Sequence, residues 1–169
     1  MRIDGNGDND SWERLSKKLS DETDLLGMRI VPENLFRSWE SKKAVIRKKD
    51  EDIIAYVSLW ETEHPQWFEL GTLWVDTIHR GRKISSDIFC ECLDAQPENS
   101  GVFIITHEPR VIHLGTKFGF VEVSPEDWLL LPWEVTCAPC DRLSEEEKQS
   151  CPFRGTREGC TLLYIKKEQ

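Results

Sequence analysis

Residues 73–86 read Leu-Trp-Val-Asp-Thr-Ile-His-Arg-Gly-Arg-Lys-Ile-Ser-Ser, and this stretch decides the fold. It starts like the end of an apolar strand, and its last residues open a helical apolar spacing that continues to Leu93. A helix start has unpaired backbone N–H groups, and the helix dipole favours negative charge there. Arg80, Arg82 and Lys83 add three cations within four residues of an otherwise acidic chain. The stretch therefore predicts an anion-binding turn, with a solvated basic turn as the alternative.

The segments on either side of this turn predict an α/β fold. Helices are expected from Ser11 (with Trp12, Leu15 and Leu19 on one side), over 33–41, from 84, and from Pro109 to about 119. Strands are expected from 44 and over 53–60, 67–76, 102–105, 120–123 and 161–166. The strands on either side of the helix that starts at 84 should be parallel, because a helical crossover joins parallel strands. The pattern predicts a mixed central sheet flanked by helices, with a cysteine-rich insertion over 134–160 between the last two strands.

The composition is that of a globular chain. Hydrophobic residues make up 38% of the 169 residues, which is enough to bury a core without disulfide bonds. No apolar run approaches the roughly 20 residues that span a bilayer, and the polar residues 1–10 do not resemble a signal peptide, so we expect a cytoplasmic protein.

The net charge of −9 argues against nucleic-acid binding, because it repels phosphates. We expect residues 1–10 to be disordered and 11–169 to form a single domain.

Two motifs and the order of the elements resemble the GNAT N-acetyltransferase superfamily. Residues 73–76 followed by 80–85 resemble the GNAT strand and its Arg-x-x-Gly-x-Gly/Ala pyrophosphate loop, and residues 114–120 resemble the family's Leu-Tyr-Glu-Lys-Leu-Gly-Phe segment. The resemblance covers 43–123 well and the outer parts by element order. It implies a GNAT-like acyl-CoA N-acyltransferase fold that transfers an acetyl group from acetyl-CoA to an amine acceptor, either a small molecule or a protein. The implied cofactor-binding residues are Leu73, Val75, Arg80, Gly81, Arg82, Lys83, Ile84, Ser85 and Ser86.

The chain departs from the family pattern at several positions. Lys83 and Ser85 stand where the loop has glycines, whose lack of a side chain lets the backbone approach phosphates. Gly115 stands where many relatives have a tyrosine acid, and Glu108 where they have a helix-start asparagine. These changes leave a second hypothesis open, in which the chain is a catalytically weak or inactive GNAT-like protein-binding module.

Glu69 and His107 are the candidate catalytic residues. Glu69 lies six residues before Val75 on the same predicted strand, hence on the same face as Gly71, Leu73 and Val75. In the histone-acetylating branch of the family a glutamate at the corresponding place acts as general base. His107 follows a buried strand, and substrates bind near the carboxyl ends of such strands, so it is a candidate for proton transfer. The alternatives are a strand-surface carboxylate and a histidine of the surface or core.

Four cysteines near the C-terminus form a candidate metal site. Cys137, Cys140, Cys151 and Cys160 lie within a segment of low apolar content, and four thiolates suit a tetrahedral structural zinc site. Two alternatives remain open: a thioredoxin-like redox pair of Cys137 and Cys140, and unlinked reduced thiols. Cys90 and Cys92 fall in a helical pattern and are expected to be packed thiols.

The cysteine spacing predicts about one zinc ion per chain. A long unordered connection between two strands costs closure entropy, and a metal would order it. Chelation should loosen residues 134–160 and leave the core folded, because the neighbouring strands pack on the main domain. Elemental analysis of protein prepared under reducing conditions measures the metal. An absence of metal together with four freely titrating thiols would reject the site, and a Cys137–Cys140 disulfide that forms reversibly near cytosolic potentials would favour the redox alternative.

Overall fold

The helices and strands closely follow the predicted order. The computed structural model describes residues 9–22, 30–123 and 160–166. Its helices are α1 (Asn9–Asp21), α2 (Pro32–Glu40), α3 (Ile84–Asp94) and α4 (Pro109–Lys117). Its strands are β1 (Ala44–Lys49), β2 (Asp52–Glu61), β3 (Trp67–Val75), β4 (Gly101–Thr106), β5 (Val121–Glu122) and β6 (Thr161–Lys166), and a 3₁₀ helix spans Thr77–His79. None of the helices in these ranges is long and apolar enough to cross a membrane.

The strands form one mixed sheet in the order β1-β2-β3-β4-β6-β5. β1 and β2 are antiparallel, and β6 is antiparallel to both β4 and β5. β3 and β4 are parallel, and the chain passes between them through α3, as the crossover pattern predicts. The predicted mixed α/β fold is therefore confirmed. The predicted insertion over 134–160 lies outside the described residues except for Cys160.

The chain divides into two compact units, which are described in turn. Unit 1 comprises Met1–Leu59 and Thr72–Ala95, and unit 2 comprises Trp60–Gly71 and Gln96–Gln169. The sequence-based assignment of 11–169 to a single domain stays a prediction.

Helix α1 supplies much of the core of unit 1. Trp12, Leu15 and Leu19 are at most 1% exposed, which confirms the predicted apolar side of the helix. Burying a side chain of this size contributes about 2 kcal/mol through the hydrophobic effect. The Trp12 ring lies edge-on to Tyr56 of β2, with ring centroids 6.4 Å apart, and to Phe36 of α2 at 5.7 Å. The spacing of apolar residues thus fixes which side of α1 faces inward.

The start of α1 differs from the prediction. The helix begins at Asn9, so Ser11 is buried within its first turn and does not cap it. Asn9 and Asp10, which the sequence assigned to a disordered N-terminus, are helical, and residues 1–8 lie outside the described residues. The reason is that residues 9 and 10 carry no apolar spacing by which a pattern would detect a helix.

Strand β4 forms the centre of unit 2. Phe103 is buried there with Val123 and Leu162. The ring of Trp67 on β3 lies directly over Gly101, where an added Cβ would be 2.2 Å from a ring carbon. Any side chain at 101 would displace this ring, so the glycine allows the β3–β4 pairing at its first residue pair.

The parallel pairing of β3 with β4 is short. It joins Trp67, Phe68 and Glu69 to Gly101, Val102 and Phe103, and it ends at Glu69. Thr72 has a φ of 55°, which is an unusual backbone conformation for a β-branched residue. This conformation breaks the two-residue alternation on which the expected common face of Glu69, Leu73 and Val75 depends. The expected alternation of side chains along β3 therefore holds from Glu69 to Gly71 and does not extend regularly to Leu73 and Val75.

Lys83 adopts the backbone conformation of a glycine. It is the N-cap of α3 with φ 64° and ψ 2°, and its side chain makes no capping hydrogen bond. A left-handed conformation costs a residue with a Cβ about 1 kcal/mol. The glycine geometry of the loop is thus retained although the glycine is replaced.

We predict that Lys83→Gly raises the free energy of unfolding by about 1 kcal/mol, because it relieves the left-handed strain. Arg82→Gly is the matched control, since it removes the same charge at a neighbouring residue that is not among those with positive φ. The control should lower stability by about 0.5 kcal/mol through unfolded-state entropy. Denaturant unfolding of both variants measures the difference. An equal loss of stability in both would contradict a strained Lys83.

Candidate functional site

The segment between β3 and α3 places positive charge at a helix start. Arg80, Gly81, Arg82 and Lys83 are all exposed, and α3 follows directly with Ile84 as its first residue. The amides of the first helical turn have no partner within the helix, and the dipole of an 11-residue helix makes this end positive. Gly81 has a φ of 79°, and open space surrounds the position that a Cβ would occupy. The turn therefore exposes both backbone donors and cations to an approaching anion.

Residues of α1 hold the beginning of this turn. Asp76 caps the 3₁₀ helix by accepting a hydrogen bond from the Ile78 backbone N–H at 3.3 Å. Its other carboxylate oxygen is 2.8 Å from Lys18 Nζ. The hydrogen bond from Lys18 holds the pKa of Asp76 below its ordinary value, so this carboxylate is ionised at neutral pH. The Arg80 guanidinium donates to the Val75 carbonyl at 2.9 Å and pairs with Glu22 just beyond α1.

Glu69 is a buried carboxylate in unit 2. It is 7% exposed, so it is not the strand-surface carboxylate that the sequence left open. Oε1 would lie 3.5 Å from a Cβ placed on Gly71, and the indole edge of Trp60 would lie 3.2 Å from the same point. Glu69 and Gly71 therefore share one side of β3, as predicted. A carboxylate, an indole edge and a bare backbone meet there.

His107 directly follows the end of β4 and is exposed. The next residue, Glu108, caps α4 by accepting from the Arg110 backbone N–H at 3.2 Å, and it also accepts from Arg110 Nε at 2.9 Å. The hydrogen bonds from the Arg110 side chain hold the pKa of Glu108 at about 2. Glu108 is therefore ionised at neutral pH and has no proton to donate. Of these two neighbours, His107 is the one that remains a candidate for proton transfer.

Packing accounts for the missing tyrosine at position 115. Gly115 is buried in α4, and an added Cβ would be 2.9 Å from Leu163 Cδ1 and 3.5 Å from Ile104 Cδ1. A larger side chain would force Leu163 to move. Position 115, where many relatives carry a tyrosine acid, is thus a point at which α4 lies directly on the sheet and leaves no room for a large side chain.

The two tyrosines of the chain lie in different surroundings. Tyr56 is fully buried, its hydroxyl donates to the Leu35 carbonyl at 3.4 Å, and burial raises its pKa far above the ordinary value. Tyr164 lies opposite Phe103, and Phe103 lies opposite Glu69, so these three residues form one cross-strand row on the same face. Sequence patterns do not predict this row, because residues 69 and 164 are brought into one row only by the strand order.

The cysteines are only partly described. Cys137, Cys140 and Cys151 lie outside the described residues, and Cys160 is half-buried just before β6. Across residues 9–22, 30–123 and 160–166, no group of three or more His, Cys, Asp or Glu side chains is placed to hold a metal ion. Cys92 is a packed thiol, as predicted: it is buried, its Sγ lies 3.7 Å from the Lys43 carbonyl oxygen, and burial raises its pKa to about 12.

Comparison with solved structures supports the fold. YncA from Salmonella typhimurium, with its cofactor acetyl-CoA, has a TM-score of 0.60 at 12% identity, covering 99% of this chain and 93% of that one. A ribosomal-protein-alanine N-acetyltransferase from Brucella melitensis has a TM-score of 0.57 at 16% identity, covering 99% and 98%. N-acetylglutamate synthase from Neisseria gonorrhoeae, complexed with coenzyme A and N-acetyl-glutamate, has a TM-score of 0.58 at 14% identity, covering 99% of this chain and only 35% of that one. At these identities the likeness shows the fold alone.

Sequence comparison identifies the family. No curated protein matches the sequence significantly. The model of the acetyltransferase (GNAT) family matches residues 11–120, which include the β3–α3 turn, β4 and α4. Because this match covers most of the chain, including the basic turn between β3 and α3, the chain belongs to the GNAT acetyltransferase family.

Proposed function

We propose that the protein transfers an acetyl group from acetyl-CoA to an amine acceptor. The observation that carries the proposal is the start of α3, where exposed cations and first-turn amides surround a left-handed turn in a chain of this family. Acetyl-CoA supplies a thioester and a diphosphate, and the diphosphate is the kind of anion that such a helix start binds. The names of the Neisseria and Brucella structures, a synthase of an N-acetylated amino acid and an N-acetyltransferase, suit an amine acceptor.

The residues of the turn fit a diphosphate. Gly81 leaves open space, Lys83 keeps the left-handed conformation of the glycine it replaces, and neither Arg82 nor Lys83 has an ion-pair partner among the described residues. The backbone of residues 80–86 would hold the diphosphate, with charge from Arg82 and Lys83 and hydroxyls from Ser85 and Ser86. Leu73 and Val75 would line the path of the cofactor along β3. Lys83 therefore adds a positive charge to the loop while adopting a conformation that a glycine adopts readily.

Glu69 would act as the general base. In amine acetylation the amine nitrogen bonds to the acetyl carbon, the carbon–sulfur bond breaks, and the amine loses a proton. Glu69, a buried carboxylate beside the bare backbone of Gly71, would accept that proton directly or through water. The thiolate leaves without an obligatory acid, since thiols are acidic enough to exist as thiolates in water; the ordinary pKa of a cysteine thiol, for comparison, is about 8.5. His107 is the candidate for supplying a proton where one is needed.

The alternative is a protein-binding module that has lost catalysis. The packing at Gly115 favours it, because no tyrosine acid occupies this position and Leu163 fills the neighbouring space. In that case the structural zinc predicted for the cysteine cluster would serve a partner surface. Ligand binding and turnover separate the two hypotheses, since the module needs neither a base nor an acceptor amine.

Coenzyme A should bind and raise the melting temperature, because a ligand of the folded state stabilises it by mass action. Arg82→Gln and Lys83→Gln should each weaken binding roughly fivefold through loss of a charge-assisted contact. Lys17→Gln on the exposed side of α1 is the control of equal charge, and it should change nothing. Isothermal calorimetry measures the three affinities. No binding by the wild-type protein at millimolar coenzyme A would remove the enzyme hypothesis.

Glu69→Gln should lower the rate of acetyl transfer by at least about 100-fold, the usual contribution of a general base, and leave coenzyme A affinity unchanged. Glu63→Gln, an exposed carboxylate in the β2–β3 turn, is the control. Steady-state rates across pH are the measurement. Unchanged activity at every pH, with altered stability only, would show that Glu69 is structural.

A further inference from the structure

Lys18 in the last turn of α1 and Glu22 just beyond that helix contact the segment that leads into the basic turn at three points. Lys18 Nζ is 2.8 Å from Asp76 Oδ2, and both groups are largely shielded from solvent, with side chains 35% and 16% exposed. Glu22 pairs with Arg80 and also accepts a hydrogen bond from Thr77 Oγ1 at 3.5 Å. These partners lie 55 to 58 residues apart in sequence and all belong to unit 1. The turn is thus fastened on both sides of its 3₁₀ helix.

The guanidinium of Arg80 is already engaged. Its Nε donates to the carbonyl oxygen of Val75, five residues earlier, and its Nη2 donates to Glu22. The first bond closes the turn on the end of β3, and the second ties it to α1. A phosphate could take over these two hydrogen bonds only by displacing the Val75 carbonyl or the Glu22 carboxylate. Arg82 and Lys83, in contrast, extend from the exposed part of the turn.

We propose that Glu22 is a positioning residue for the cofactor turn, and that Arg80 braces the turn against Glu22 and Val75 and does not bind phosphate through its side chain. This inference rests on the proposed function, because the turn is positioned for the diphosphate of acetyl-CoA. It differs from the sequence-based assignment, in which the Arg80 side chain is one of three cations that meet the ligand.

The hydrogen bonds of Arg80 to Glu22 and Val75, called the brace below, order the turn before the ligand binds. The brace fixes residues 76–80, which lead into the left-handed conformations at Gly81 and Lys83. A turn that is already ordered loses less conformational freedom when the ligand binds, so the brace raises affinity without contacting the ligand. Lys18 and Asp76 support the same segment, and the low pKa of Asp76 keeps that ion pair intact at neutral pH.

The first experiment removes the charge of Glu22. Glu22→Gln should weaken coenzyme A binding roughly twofold to fivefold, the range that corresponds to the loss of a surface ion pair. Asp52→Asn is the matched control, since it breaks the Arg14–Asp52 pair (2.7 Å) at the other end of α1 and should leave the affinity unchanged. Tighter binding by Glu22→Gln would overturn the proposal, because it would mean that Glu22 competes with phosphate for Arg80.

The second experiment exchanges the two charges. In the double variant Glu22→Arg/Arg80→Glu the ion pair is restored with opposite sense, so affinity should recover relative to Arg80→Glu alone. A phosphate-binding Arg80 predicts no recovery, since a carboxylate would then face the diphosphate. If the double variant does not fold, the Glu22→Gln result decides.

A ligand-free measurement separates this inference from the proposed function. Amide hydrogen exchange at His79 and Arg80, whose N–H groups bond to the Asp76 and Thr77 carbonyls, should be faster in Glu22→Gln than in wild type or Asp52→Asn. Unchanged exchange would refute the brace. Wild-type protein that shows the brace by exchange but binds no coenzyme A would refute the proposed function, and with it the role of Glu22 in cofactor binding.

Discussion

Helix α3 begins with positive side-chain charge at the end where a helix favours negative charge. The capacity of the turn to bind an anion depends on this arrangement. Its N-cap is Lys83 and Arg82 precedes it, so side-chain charge adds to the positive end of the dipole. A turn with only a structural role would be better served by Ser, Asn or Asp at the N-cap. The arrangement becomes favourable when an anion neutralises it. The carboxylate of Glu22 is nearby but is bound to Arg80, on the other side of Gly81.

Two residues in unfavourable backbone conformations lie in the same part of the chain. Thr72 interrupts β3, and Lys83 starts α3, and each has a positive φ that costs about 1–2 kcal/mol for a residue with a Cβ. Such strain persists where the surrounding contacts determine the backbone. Around Lys83 these contacts are the Arg80 and Asp76 interactions with α1. Thr72 lies three residues beyond Glu69, the last residue of β3 that pairs with β4, so the β3–β4 pairing does not hold its backbone.

Local patterns in the sequence predict the elements well because they encode burial. The bounds of β6 agree at both ends, and those of α2 agree within one residue, since apolar spacing and Pro32 mark them. The same patterns cannot predict which side chains from distant segments meet. The pairs Lys18–Asp76 and Glu22–Arg80 join residues 58 apart, and Tyr164 reaches the row of Glu69 only because β6 inserts beside β4. From sequence alone, a charged residue on a helix surface is predicted to face solvent, and only the tertiary structure shows its ion-pair partner.

Binding and chemistry place separate demands on the chain. Diphosphate binding needs an exposed helix start with positive charge, and replacing a glycine by Lys83 increases that charge. A tyrosine acid at position 115 has no room, because a Cβ there would lie 2.9 Å from Leu163 Cδ1. A thiolate is stable enough to leave without an acid, so the loss at 115 does not decide against turnover. Glu69 distinguishes the two hypotheses more sharply, because a buried carboxylate costs free energy to keep. An acetyltransferase uses that carboxylate for proton transfer, whereas a binding module would retain it only as a partner in its core.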